Sequence, residues 1–146
     1  MENSFYIRSS SINDYCTLDE IKEINDIVST KKPLFEVRDG IGDIAGAQIL
    51  IDVGIGLISA IAYDLLKYAF FKLKDVILKK HIKEDFGNPS PDINIIVDAK
   101  EVNVSYTVTI NCEASEDEVE ACLKEMKNIA NAIIENNSET TFDECS

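Results

Sequence analysis

Tryptophan is absent, histidine occurs once (His81), and Lys and Arg together number 14 against 27 Asp and Glu. The shortage of basic residues leaves a formal net charge of −13, which argues against a nucleic-acid binder, because phosphate neutralisation needs a dominant basic surface. One histidine, with Cys16, Cys112, Cys122 and Cys145 forming no CxxC pair, does not write the usual zinc spacings, so no metal site is expected. Gly54-Ile55-Gly56 lacks the third glycine of a phosphate loop and is expected to lack a preceding strand, and no nucleotide cofactor is expected. The opening MENSFYIRSSS has neither the basic n-region nor the apolar h-region of a secretory signal, so free thiols in a reducing cytoplasm are expected.

What is present fits one globular domain over residues 1–136, with an acidic tail at 137–146 expected to be disordered. Hydrophobic residues make up 45% of the chain, enough for a core. Phe5 and Ile7 alternate with Tyr6 and Arg8, a short strand. Thr17-Leu18-Asp19-Glu20 is a capping box, and Leu18, Ile21, Ile24 and Val28 continue at helical spacing to about residue 29. LFEVR (34–38) reads as a second strand closed by Asp39-Gly40. After the break at Gly87, Pro89 and Pro91, residues 93–98 and 102–112 alternate as an antiparallel hairpin. Val104, Tyr106, Val108 and Ile110 should face inward, and Ser105, Thr107 and Thr109 outward. Ser115 to Glu118 is a second capping box, opening a helix whose face carries Val119, Cys122, Leu123, Met126, Ile129, Ala130 and Ile133 and which ends at Asn136-Asn137.

The stretch from Asp43 to about Lys83 predicts one long helix. Within it Gln48, Asp52, Gly56, Ser59, Tyr63 and Lys67 recur at spacings of 4, 4, 3, 4 and 4, a narrow polar and small stripe on an otherwise apolar circumference. Its glycines, Gly46 among them, each cost about 1 kcal/mol relative to Ala in a helix interior, so a closely packed neighbour is expected to offset them. Residues 44–63 also have roughly the length that spans hydrocarbon. Lys67, Lys72, Lys74, Lys79 and Lys80 follow as a basic flank able to meet acidic lipid or protein. Against a span, Asp52 sits mid-segment at a cost of roughly 2.5–3.5 kcal/mol. The interaction residues expected from these patterns are Gly46, Asp52, Gly56, Ser59, Tyr63, Lys67, Lys72, Lys74, Lys79 and Lys80. Asp52 with Ser59 or Tyr63 is the best candidate for an acid site, and no nucleophile, base and orienter accompany it, so no enzyme is expected. His81, alone among lysines, reads as a surface residue.

These elements predict a two-layer α+β domain, a small mixed sheet with helices on one face. The order of short strand, small helix, LFEVR, Gly-spaced apolar helix after GIGDIAG, INIIVDA/VNVSYTVTI hairpin and acidic-capped last helix resembles the small effector-associated constant components of bacterial conflict systems. The resemblance covers about residues 4–136 and is one of layout, so no functional residue is carried over from it. It implies a non-catalytic adaptor of a defence system, working through a protein partner. Separately, a helix apolar around most of its circumference needs more cover than a small sheet gives, so self-association or partner binding through the Gly-spaced helix is expected. Two alternatives follow from charge and hydropathy. One is an acidic immunity protein that occludes a basic toxin, and the other is a membrane-acting effector using helix 44–66 and the lysine run 67–83.

Overall fold

A computed structural model describes residues 3–28, 36–38, 43–45 and 48–144 of the chain. The elements run β1 (Asn3–Arg8), α1 (Ser10–Tyr15), α2 (Leu18–Val28), β2 (Glu36–Arg38), β3 (Asp43–Ala45), β4 (Gln48–Gly54), α3 (Ala60–Glu84), β5 (Asp92–Ala99), β6 (Val104–Asn111) and α4 (Glu116–Glu144). The fold is α+β, as the patterning requires. The main sheet has the order β4-β1-β5-β6 with every pairing antiparallel, where a mixed sheet was expected, and β2 and β3 form a separate antiparallel pair.

Strand register sorts the side chains by the two-residue period. Ile49, Ile7, Ile95 and Val108 form one row across the sheet, and Ile51, Phe5, Val97 and Tyr106 the next. These rows face a single apolar cluster that takes in Ile12, Ile21 and Ile24 from α1 and α2, Leu66, Phe70, Leu73 and Ile77 from α3, and Val119, Leu123 and Met126 from α4. All four helices therefore cover one face. On the other face lie Leu50, Tyr6, Ile96 and Thr107, flanked by Asp52, Ser4, Asp98 and Ser105. The hairpin has the expected register: Ile110 is buried, Val104, Tyr106 and Val108 are half-buried, and Ser105, Thr107 and Thr109 are exposed.

Local signals act where expected. Thr17 Oγ1 accepts the Glu20 N–H at 3.2 Å while Glu20 Oε1 accepts the Thr17 N–H at 2.8 Å, a complete capping box. Ser115 Oγ caps Glu118 N–H at 3.2 Å, but Glu118 returns to the Ser115 hydroxyl rather than to its N–H.

The long helix predicted over 43–83 does not form. Residues 43–45 are β3, Gln48–Gly54 is the edge strand β4, and the helix begins only at Ala60, capped by Ser59. Gly54 and Gly56 both have φ +91°, the left-handed region that glycine enters without strain and that breaks a helix. The stripe of small and polar residues is consequently not a stripe, and the apolar helix 44–66 on which membrane action rested is absent. No helix among the described residues is long and apolar enough to cross a membrane. At the other end of the chain α4 continues through Asn136-Asn137 to Glu144, across most of the segment expected to be a tail. Asp39-Gly40 and Leu34 lie outside the described residues.

Candidate functional site

The connection from β4 into the first turn of α3 exposes apolar surface on a hydrogen-bonded frame. Ile55 is 73% exposed, Ile61 74% and Leu57 46%, whereas Ile58 between them is buried. Burying an aliphatic side chain of this size stabilises by about 1.5–3 kcal/mol, a gain that the isolated fold leaves unused at three neighbouring positions.

Polar side chains from three distant parts of the chain hold this loop. The Gly56 N–H donates to Glu101 Oε2 at 2.9 Å, and Asn3 Nδ2 donates to the Gly56 carbonyl at 3.1 Å. Asn3 Nδ2 also donates to Glu101 Oε2 at 3.4 Å, and Asn3 Oδ1 accepts the Glu101 N–H at 3.2 Å. Asn3 is itself buried, so its amide is committed to this network. On the far side of the loop, Asn131 of α4 accepts the Ile58 N–H at 2.7 Å, and Ser59 Oγ accepts the Ala62 N–H at 3.1 Å. The loop is pinned at Gly56 and Ile58, with Leu57 between the pins, Ile55 just before them and Ile61 just after them in the first turn of α3.

A cationic and aromatic border adjoins the loop. Lys127 Nζ lies 5.1 Å and Lys67 Nζ 5.9 Å from the Tyr63 ring centroid, and Lys67 pairs with Glu120 at 3.3 Å. Burial raises the Tyr63 phenol above its ordinary value despite the nearby Lys67 charge. The hydrogen bond from Lys67 to Glu120 raises the lysine in turn.

The expected interaction residues thus divide. Gly56, Ser59, Tyr63 and Lys67 gather at this loop and the first turns of α3. Asp52 lies on the sheet face opposite the helices, in register with Ser4 and beside Leu50, both of which are buried. Gly46 lies outside the described residues. Lys72, Lys74, Lys79 and Lys80 run down α3 away from the loop, mostly engaged by their own chain. Lys80 pairs with Glu20 at 3.0 Å, Lys79 with Asp75 at 3.0 Å, and Lys72 lies 5.8 Å from the Tyr68 ring centroid. Asn3, Glu101 and Asn131 were missed, because their roles depend on contacts across 45 to 73 positions of sequence that no local pattern records.

A second polar cluster sits at the other end of α3. His81, read as a surface residue, is buried. Its Nε2 lies 3.2 Å from the Asn88 carbonyl, which only accepts, so that nitrogen carries a proton there. Its Nδ1 lies 3.3 Å from the Tyr15 hydroxyl, which donates a short bond to Asp85. That bond to Asp85 is the main reason the Tyr15 phenol is pushed up to about 12. The Cys16 thiol beside it is also pushed up to about 12, chiefly by burial and then by Glu20. Both groups are held protonated at neutral pH. The cluster is a clasp that ties α1 to the end of α3 and to the turn after it.

Among the described residues no group of three or more His, Cys, Asp or Glu is arranged to hold a metal ion. Compared with protein-family models, with curated proteins and with solved structures, the chain matches none.

Proposed function

We propose that this protein is a non-catalytic adaptor that works through protein–protein contact, with the β4–α3 loop as its docking element. The observation that carries this reading is the loop itself: Ile55, Leu57 and Ile61 exposed together on a backbone fastened by Asn3, Glu101 and Asn131. A contact surface gains affinity when its apolar anchors are already in place, because little ordering entropy is then lost on binding. The thiols of Cys16, Cys112 and Cys122 all shift upward, away from reactivity, which is consistent with a binding rather than a catalytic role. The setting in a bacterial defence system rests on the resemblance of layout alone.

The test is a photo-crosslinking side chain placed at position 55 or 61, with position 72 as control, in cells that express the protein natively. The adaptor reading expects a discrete adduct from 55 and 61 that excess untagged wild-type protein competes away and that position 72 does not form. Equal adducts from all three positions, or none from 55 and 61, would contradict it.

A second reading keeps the same surface but changes the partner. The net charge of −13 suits an immunity protein that covers a basic toxin. A cationic toxin as the crosslinked species, bound less tightly as salt rises, would favour it over the adaptor.

A further inference from the structure

The two edges of the main sheet are treated differently. On β4, the buried Asn25 of α2 closes the edge: its Oδ1 accepts the Leu50 N–H at 3.4 Å, and its Nδ2 donates to the Gln48 carbonyl at 3.4 Å and to the Ile21 carbonyl at 3.2 Å. On β6, no described residue does the same. The Cys112 N–H donates to the Pro91 carbonyl at 2.9 Å, and antiparallel alternation from that bond turns the N–H and C=O groups of Ser105, Thr107 and Thr109 away from β5, to the free edge. The strand carries none of the usual protections, since residues 102–111 (VNVSYTVTIN) contain no charge and no proline, and the β5–β6 register runs without a bulge.

We infer that β6 is a self-association edge, pairing antiparallel with β6 of a second copy about a two-fold axis at Thr107. The sequence is self-complementary around that residue. Thr107 meets Thr107 of the partner and Ser105 meets Thr109 on the open face, where hydroxyl pairs are favourable. Tyr106 meets Val108 and Val104 meets Ile110 on the inner face. Register and alternation together supply about six new backbone hydrogen bonds. Two copies each carrying −13 repel over most of their surfaces, and this uncharged strand lets them approach.

The neighbouring helix fits the same axis. Glu120, Lys127 and Asn131 of α4 face α3, as their contacts with Lys67, Tyr63 and Ile58 require. A turn of about 100° per residue then places Cys122 and Ile129 on the opposite flank, beside the β6 edge. Ile129 is 44% exposed there, one turn after Met126, whose carbonyl accepts the Tyr106 hydroxyl at 2.7 Å. The inference is independent of the β4–α3 loop.

The experiment is sedimentation velocity on the full chain across a concentration series, with Thr107→Pro and Thr107→Lys. Alternation turns the Thr107 N–H away from β5 and no described residue accepts it, so both substitutions block the edge while leaving β5 paired. Wild type should sediment as a dimer that dissociates on dilution, and both variants as monomers with unchanged far-ultraviolet circular dichroism. Register is read from disulfide trapping with Cys122 and Cys145 replaced by Ser. Thr107→Cys should crosslink with itself, and Ser105→Cys should crosslink with Thr109→Cys but not with itself. A monomeric wild type at every concentration, a dimer that persists in both variants, or self-crosslinking of Ser105→Cys would each overturn the proposal.

Discussion

Tyr15 and His81 meet edge to face, their ring centroids 6.1 Å apart and their planes at 86°, with the phenol hydroxyl handed on to Asp85. This contact joins a helix of six residues to the far end of a helix of 25, so the short α1 has its place through packing rather than propensity. Tyr15→Phe keeps the ring contact and removes the hydroxyl, and should destabilise the fold at neutral pH. The phenol pKa is raised in the folded state, so its contribution is whole below the ordinary value of 10.0 and is lost as pH rises through about 12. Denaturation curves of wild type and Tyr15→Phe should therefore converge over that window. A gap that stays constant across it would show that the bond to Asp85 is not the cause.

Closure of the β4 edge is expected to be the costliest polar feature to remove. Asn25→Ala leaves the Leu50 N–H and the Gln48 carbonyl without their partner at a buried edge, and should cost about 1–3 kcal/mol. Urea unfolding with an unchanged slope and a lowered midpoint is the measurement. A midpoint equal to that of wild type would mean that water satisfies both groups.

Much of the fold was legible because its signals are local. The capping box at Thr17, the alternation from Val104 to Ile110 and the α3 row of Leu66, Phe70, Leu73 and Ile77 are readable in windows of a few residues. The row continues at the same spacing to His81, so the burial of that histidine was present in the pattern and was masked by its lysine neighbours. The stretch 43–60 was misread because an apolar run with glycines has no unique period. Ile49 and Ile51 on the core side against Leu50 and Asp52 is a strand alternation, yet the same residues also satisfy a helical stripe. The positive φ of Gly54 and Gly56 decides between the two, and φ is not written in a sequence. The exposed loop and its pins depend on that decision, so the candidate site was only half visible: Gly56 and Ser59 by spacing, and Asn3, Glu101 and Asn131 not at all.

The thiols should react in the order of their exposure. Cys16 and Cys112 are buried and Cys122 is half-buried, and burial is the largest cause of the upward shift in each. Of these three thiols, under an alkylating agent in native buffer, Cys122 should be modified first, with Cys16 and Cys112 protected until the domain opens. Peptide mass spectrometry over time checks this. Early modification of Cys16 would show that the clasp around Tyr15 opens locally.

The central claim is that the β4–α3 loop is a rigid apolar projection. Amide hydrogen exchange followed by NMR tests it directly, because the pins act on particular N–H groups. The Gly56 amide, held by Glu101, and the Ile58 amide, held by Asn131, should exchange much more slowly than the Leu57 amide between them. Asn131→Ala should speed Ile58 and leave Gly56 slow. Fast exchange at Gly56 and Ile58 alike in the wild-type protein would contradict the account, since a loop without those two bonds is only an exposed apolar turn.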